Sequence, residues 1–332
     1  MHPAAPNLSV VVPCYNEEPV LDALHERLSR VCEGLGTDYE IVLVNDGSKD
    51  GTWGKMAVLA ARDPHLVCVN LSRNHGHQLA LTAGLSVCQG EHVLVLDADL
   101  QDPPEALPEM LALLNREAAD VVYGWRVARA GETWFKRATA HAFYRVLGWL
   151  ADAPIPRDTG DFRLMTRRVV EQFLAMPERH RFVRGMVSWI GFKQVPYPYE
   201  RQPRAAGETH YTVGKMLRFA WDAVTGFSTK PLALPMRAGA LCAAAAVGTW
   251  LAAAWWGLAR GEVPAVGLLA GLMLALSAGQ LLALGVIGEY LGRMYAEVRG
   301  RPLFVIERVV RGRPAAAALP AVPIDLPRRE VA

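Results

Sequence analysis

From Leu8 onward, short aliphatic and β-branched runs alternate with amphipathic stretches, and few folds accommodate that alternation. A chain that repeats strand then helix builds a sheet of parallel βα units. Leu8–Pro13, Glu40–Asn45, Leu66–Leu71, His92–Leu96 and Asp120–Tyr123 read as strands. Glu17–Glu33, Thr52–Arg62, Gln78–Cys88 and Pro104–Glu117 read as the helices between them. Open α/β sheets bind ligands beyond the carboxyl ends of their strands, so the polar residues at those ends carry the functional information.

Common nucleotide-binding signatures are missing there. No GxGxxG follows the first strand, and no GxxxxGK[ST] loop occurs anywhere. The 35 basic and 33 acidic residues nearly cancel, which argues against nucleic acid as a partner. The five cysteines are scattered, without CxxC or zinc spacing, and read as reduced thiols in a cytosolic setting. Met1 to Leu8 has no basic start followed by an apolar run, so the first domain is expected to stay in the cytoplasm.

Three strand ends stand out. The first continues as Pro13-Cys14-Tyr15-Asn16-Glu17-Glu18, readable as an ordinary helix start or as a binding edge. The second continues as Asn45-Asp46-Gly47-Ser48-Lys49-Asp50-Gly51, readable as an Asp-Gly turn or again as a site. Following the third strand, His75 and His77 lack a further ligand nearby and read as loop polar groups. The fourth strand delivers Asp97 and Asp99, followed by Gln101. Like charges buried this close need a positive partner, and a hard divalent cation such as Mg²⁺ or Mn²⁺ supplies one while keeping positions for diphosphate oxygens. A solvated acidic turn is the alternative.

Further along, 238–258 carries no charge over roughly the 20 residues that a helix needs to cross a bilayer, and 263–288 repeats the pattern. A transmembrane hairpin is expected, with spans at 237–259 and 263–288. Lys230 and Arg237 before it, with Arg293, Arg299 and Arg301 after it, place both ends on the cytoplasmic side. Small residues in the first span would allow close helix contact, including homo-oligomers. Residues 211–236 and 289–312 read as amphipathic segments flanking the hairpin, and 313–332 as a disordered tail.

Taken in order, Pro13-x-Tyr15-Asn16-Glu17, Asp46-Gly47-Ser48-x-Asp50-Gly51 and Asp97-x-Asp99-x-Gln101-Asp102-Pro103 resemble glycosyltransferase family 2. Tyr123-Gly124-Trp125-Arg126, Lys136-Arg137, Gly160-Asp161-Phe162-Arg163 and Arg204-x-x-Gly207-Glu208-Thr209 extend the likeness toward the polyprenyl-phosphate glycosyltransferases, among them the bactoprenol glucosyltransferases. The resemblance implies a GT-A (Rossmann-like) α/β domain over 1–210 and a nucleotide-sugar donor, UDP-linked. It implies that Pro13, Tyr15, Glu17, Asp46 and Asp97 hold the nucleotide, that Asp99 and Gln101 bind the metal, and that Asp161 lies by the sugar.

The acceptor it implies, a polyprenyl phosphate at the membrane, is already anionic at neutral pH and needs no base to attack. Attack opposite the leaving diphosphate predicts inversion. Asp99 then serves catalysis through the metal, and Asp161 by holding a sugar hydroxyl or stabilising charge on the ring, with proton abstraction as the alternative. Arg126, Arg137, Arg163 and Arg204 are the expected phosphate ligands, because guanidinium forks bind phosphate oxygens in pairs. His210 and Ala140 depart from the family pattern, where lysine and serine are expected. A processive polysaccharide synthase is the rival enzyme, although Arg184-Gly-Met-Val-Ser-Trp189 is not a QxxRW motif. A non-catalytic membrane scaffold is the other rival, and it has no need of paired carboxylates at the fourth strand.

Overall fold

The computed structural model describes residues 6–127, 159–179, 181–200 and 265–312, with scattered positions between 241 and 259. Eight strands form one sheet in the order β7-β5-β6-β4-β1-β2-β3-β8. They are β1 (Leu8–Cys14), β2 (Tyr39–Asn45), β3 (Leu66–Leu71), β4 (His92–Val95), β5 (Val121–Arg126), β6 (Thr159–Thr166), β7 (Gln194–Tyr199) and β8 (Ile306–Arg311). The described helices are α1 (Leu21–Gly34), α2 (Thr52–Ala60), α3 (His77–Val87), α4 (Leu107–Arg116), α5 (Arg167–Ala175), α6 (Val183–Ile190) and α7 (Ala265–Val298).

The central strands are buried on both faces, so their two-residue period shows as a division between two cores rather than as inside and outside. Val10, Val12, Ile41, Leu43 and Leu94 face α1, α2 and α4, together with Leu24, Leu28, Met56 and Met110. Val11, Val42, Val44, Val93 and Val95 face the opposite way, with Leu81, Leu85, Phe173 and Met186 of α3, α5 and α6. Gly84 lets α3 settle on that face, since a Cβ there would lie 2.4 Å from Val11 Cγ1. Cys14, Cys32, Cys68 and Cys88 are buried free thiols, as their scatter suggested; Cys242 lies outside the described residues.

The sheet is mixed rather than wholly parallel. β1 to β4 run parallel, as the alternation predicts, but β6 enters antiparallel between β4 and β5. The β4–β6 ladder ends at Val95 opposite Arg163; Asp97 follows Val95 by two residues, just past β4, and Asp161 precedes Arg163 by two within β6. The inserted strand thus carries Asp161 to the carboxyl edge. At the outer edge, β7 contains Pro196 and Pro198, which lack the N–H groups that would recruit another strand.

The other edge closes with β8, antiparallel to β3, inside the stretch read from sequence as amphipathic. Ile306 and Val309 pack against one core and Val310 against the other. The open β3 edge takes up this β-branched run, whose short apolar pattern does not distinguish strand from helix. Asn70 ties the edge together, accepting from Asn45 Nδ2 at 2.6 Å and donating to Glu307 Oε2 at 2.8 Å. Before β8, α7 runs well past the expected end of the second span. Among the described residues it holds the one stretch long and apolar enough to cross a membrane, Ala275–Tyr295, with exposed Leu281, Leu284, Ile287 and Leu291. The segment 211–236, most of the first span and the 313–332 tail lie outside the described residues.

Candidate active site

β1 and β2 end side by side, and the loops beyond them are braided by hydrogen bonds. The Asn16 amide donates to Ser48 Oγ at 3.0 Å, and Asn16 Oδ1 accepts from the Lys49 amide at 2.9 Å. The Glu17 amide donates to Thr52 Oγ1 at 2.9 Å, and the Gly51 amide to Glu18 Oε2 at 2.8 Å. Asn16, at φ 57°, spends its side chain on this braid instead of capping a helix, and α1 begins only at Leu21.

Asp46 is buried, and both its oxygens are used, accepting the amides of His75 at 2.7 Å and Gly76 at 3.0 Å. Burial raises its pKa, and those two backbone donors pull against the rise. Asp46 therefore acts on the cleft by holding the loop after β3. Gly47 must be glycine, because its φ is +62° and a Cβ would meet the backbone of Arg73 and Asn74 at 2.4 Å.

Beyond β4 the chain turns at Leu100, a non-glycine residue with φ 58°, so that the Gln101 amide donates to Asp99 Oδ1 at 3.2 Å. Pro13, Tyr15, Glu17, Asp46, Asp97 and Asp99 line one cleft of about 400 Å³, which Gly76, His77 and Ala80 complete. The three strand-end segments read separately from sequence thus form one concave surface.

His77 connects this cleft to Asp161. Its Nε2 lies 3.2 Å from Asp161 Oδ2 and 3.5 Å from Asp97 Oδ1. Asp161, 5% exposed, also accepts from Gln78 Nε2 at 2.8 Å, and its Oδ1 faces Arg184 Nε at 3.5 Å and Arg163 Nη2 at 3.9 Å. Burial alone would raise the Asp161 pKa, but Arg184, His77 and Arg163 reverse this and hold it far below the carboxylate range. Burial opposes charge on His77 as well, and the Asp161 hydrogen bond with the Asp97 and Asp161 charges overrides it, raising its pKa to about 9. Asp97 moves the other way. Burial, reinforced by Asp102, Asp161 and Asp99 against the pull of His77, raises it to about 6.

The arginines named as acceptor ligands separate. Arg126 Nε donates to Tyr199 Oη at 3.2 Å, and that hydroxyl donates to buried Asp102 at 2.5 Å. Arg163 is 3% exposed and folded onto its own strand, donating to the carbonyls of Gly160 at 3.0 Å and Asp161 at 3.3 Å. Arg137 and Arg204 lie outside the described residues, as do His210 and Ala140.

Asp97 Oδ1 is buried without a hydrogen-bond partner, and Asp99, two residues on, lines the same cleft. Oxygen donors of this kind suit a hard divalent cation. Among the described residues no three His, Cys, Asp or Glu side chains converge as a complete metal cage. Two protein oxygens would leave the remaining coordination positions to a diphosphate and water, as Mg²⁺ prefers.

The sequence pattern described as glycosyl transferase family 2 matches residues 9–174, from β1 through most of α5. The chain belongs to glycosyltransferase family 2. As such it is an enzyme, and its mixed sheet is of the GT-A type. This family 2 glycosyltransferase is 44% identical over 301 residues to the uncharacterized glycosyltransferase YkcC of Bacillus subtilis, covering 90% of this chain and 93% of that one. It is 37% identical to a prophage bactoprenol glucosyl transferase homolog of Escherichia coli, covering 91% and 99% respectively. A mannosyltransferase from Pyrobaculum calidifontis, solved with GDP-Man and Mn²⁺, is 20% identical, with a TM-score of 0.41 over 86% of this chain and 87% of that one.

Within this glycosyltransferase, sequence reasoning passed over His77, Gln78 and Arg184. His77 was read as a loop polar group, yet it bridges two acidic residues of the site. Its place at a strand's carboxyl end, where α3 begins, was the available signal.

Proposed function

We propose that the enzyme transfers a sugar, glucose by preference, from a UDP-linked donor to a polyprenyl phosphate at the cytoplasmic face of a membrane, inverting the anomeric carbon. The carrying observation is the cleft itself: nucleotide-facing carboxyl edges of β1, β2 and β4 adjoin, through His77, a buried carboxylate ringed by cations. The bactoprenol glucosyl transferase names of full-length relatives support the lipid acceptor. The Ala275–Tyr295 stretch and the uncharged run before it support a membrane hairpin with both ends cytoplasmic and helices able to associate between protomers.

In this reading Pro13, Tyr15 and Glu17 enclose the base and ribose and Asp97 lies by the nucleotide, while Asp46 holds the loop that shapes their cleft. Asp99 and Gln101 would hold Mg²⁺ or Mn²⁺, which supplies positive charge for the departing diphosphate. An acceptor phosphate oxygen forms the bond to the anomeric carbon as the bond to the diphosphate breaks, and the electron pair leaves with the diphosphate. A general base works best with a pKa near the operating pH. Asp161, held ionised by Arg184, His77 and Arg163, is a poor proton acceptor and serves as fixed negative charge beside the sugar.

Arg126 and Arg137 receive the lipid phosphate. Arg126→Ala or Arg137→Ala should reduce acceptor use about 10- to 100-fold, since each charge-assisted bond is worth about 1.5–3 kcal/mol. Donor affinity should hold. Tyr199→Phe, which removes the neighbour of Arg126 Nε and keeps the guanidinium, should cost less than Arg126→Ala. Steady-state kinetics with donor and acceptor varied separately check this. Loss of nucleotide binding with lipid affinity intact would assign the arginines to the donor diphosphate.

A further inference from the structure

We propose that Gln78 is a positioning residue for transfer: its side-chain amide fixes the Asp161 carboxylate and the start of α6, and with it Arg184, against the donor cleft. The proposal rests on the glycosyl-transfer reading above. Gln78 is the second residue of α3, directly after His77. Its Nε2 donates to Asp161 Oδ2 at 2.8 Å, and its Oε1 accepts the amide of Val183, the first residue of α6, at 2.8 Å.

A primary amide has a donor end and an acceptor end, and both are used here on groups that need that polarity. The first amides of a helix have no partner within it, so Gln78 satisfies one of them from another element. The next residue, Arg184, lies with Nε 3.5 Å from Asp161 Oδ1. One side chain thus joins α3, β6 and α6, across 83 and 105 residues of sequence.

The two carboxylate oxygens of Asp161 are treated differently. Oδ2 receives Gln78 at 2.8 Å and His77 at 3.2 Å, whereas Oδ1 has no hydrogen bond and faces Arg184 and Arg163. Turning the carboxylate would break both bonds to Oδ2. Since His77 also lines the cleft, the start of α3 sets the distance between the donor and the Asp161–Arg184 pair. Misplacement of a reacting group by about 1 Å can cost about 100-fold in rate.

Gln78→Glu keeps the shape but turns an acceptor toward Asp161, and Gln78→Met removes both bonds. With the full chain purified in detergent, both variants are expected to lose about 10- to 100-fold in kcat. Donor KM and nucleotide Kd should stay within about twofold of wild type, because the cleft residues are unchanged. Hydrogen exchange at Val183 and Arg184 should quicken in Gln78→Met. In an Asp161→Asn background Gln78→Met should cost less than it does alone, as coupled neighbours do. Wild-type kcat in both variants would overturn the proposal, as would a loss that merely tracks the folded fraction. If the wild-type enzyme makes no glycolipid, the functional reading fails separately, and unchanged exchange at Val183 would still overturn the role assigned to Gln78.

Discussion

Asp99→Ala enzyme is expected to fold and to transfer no measurable sugar. Asp99 sits in the turn beyond β4 with its carboxylate organised by the Gln101 amide, and it lines the cleft proposed for the donor beside Asp97. In the proposed mechanism, removing it takes away the charged protein ligand of the cation. The charge growing on the departing diphosphate then loses a counter-charge worth several kcal/mol, which corresponds to about a thousandfold or more in rate. The wild-type enzyme treated with a chelator should fail in the same way and recover with Mg²⁺ or Mn²⁺. The melting temperature of Asp99→Ala should change little, since the substitution removes a carboxylate that lines the cleft and no aliphatic side chain of the core. Near-normal turnover in chelator, or in Asp99→Ala, would remove the metal from the mechanism.

The second large effect is on stability as well as activity. Asp161 is buried among Arg163, Arg184 and His77, so Asp161→Ala leaves three cationic groups facing one another without their shared anion. Breaking a buried ion pair from one side costs about 3–5 kcal/mol. Asp161→Asn, which keeps the shape and part of the hydrogen bonding, should cost less. The pH dependence has a definite sign. The folded-state pKa of Asp161 lies below its unfolded value, so its contribution is present above the unfolded pKa of about 3.9 and is lost as pH falls toward the folded value. Thermal melts of wild type and Asp161→Ala should therefore converge on acidification below about pH 4. Equal stability at neutral pH would mean that the cluster is hydrated rather than buried.

Most of the sheet was legible because its central strands carry dense aliphatic runs closed by Pro13, Asp46 and Asp97, and such runs admit little besides buried parallel strands. That Pro13, Tyr15, Glu17, Asp46, Asp97 and Asp99 would share one cleft was legible for the same reason, since strand ends in a parallel sheet converge on one edge. What sequence did not reveal came from long-range pairing. β6 runs antiparallel beside β4 although 63 residues separate Val95 from Thr159, and that register brings Asp161 to the same end of the sheet as Asp97. His77 looks like a loop polar group, and Gln78 like an ordinary helix start, until β6 arrives. β8 was hidden because Ile306 to Arg311 is too short for its period to distinguish strand from helix. Arg163, chosen for its charge, proved to be turned into its own strand by the carbonyls of Gly160 and Asp161.

The central claim is transfer to a lipid phosphate, and the mass of the lipid after reaction tests it most directly. Purified enzyme would be supplied with Mn²⁺, a polyprenyl phosphate and a panel of nucleotide-sugars, and the extracted lipid measured by mass spectrometry. The account predicts one added sugar residue, greatest with UDP-glucose, joined through the phosphate, and absent with Asp99→Ala. Unchanged lipid alongside a growing polysaccharide, or unchanged lipid and intact donor, would contradict it.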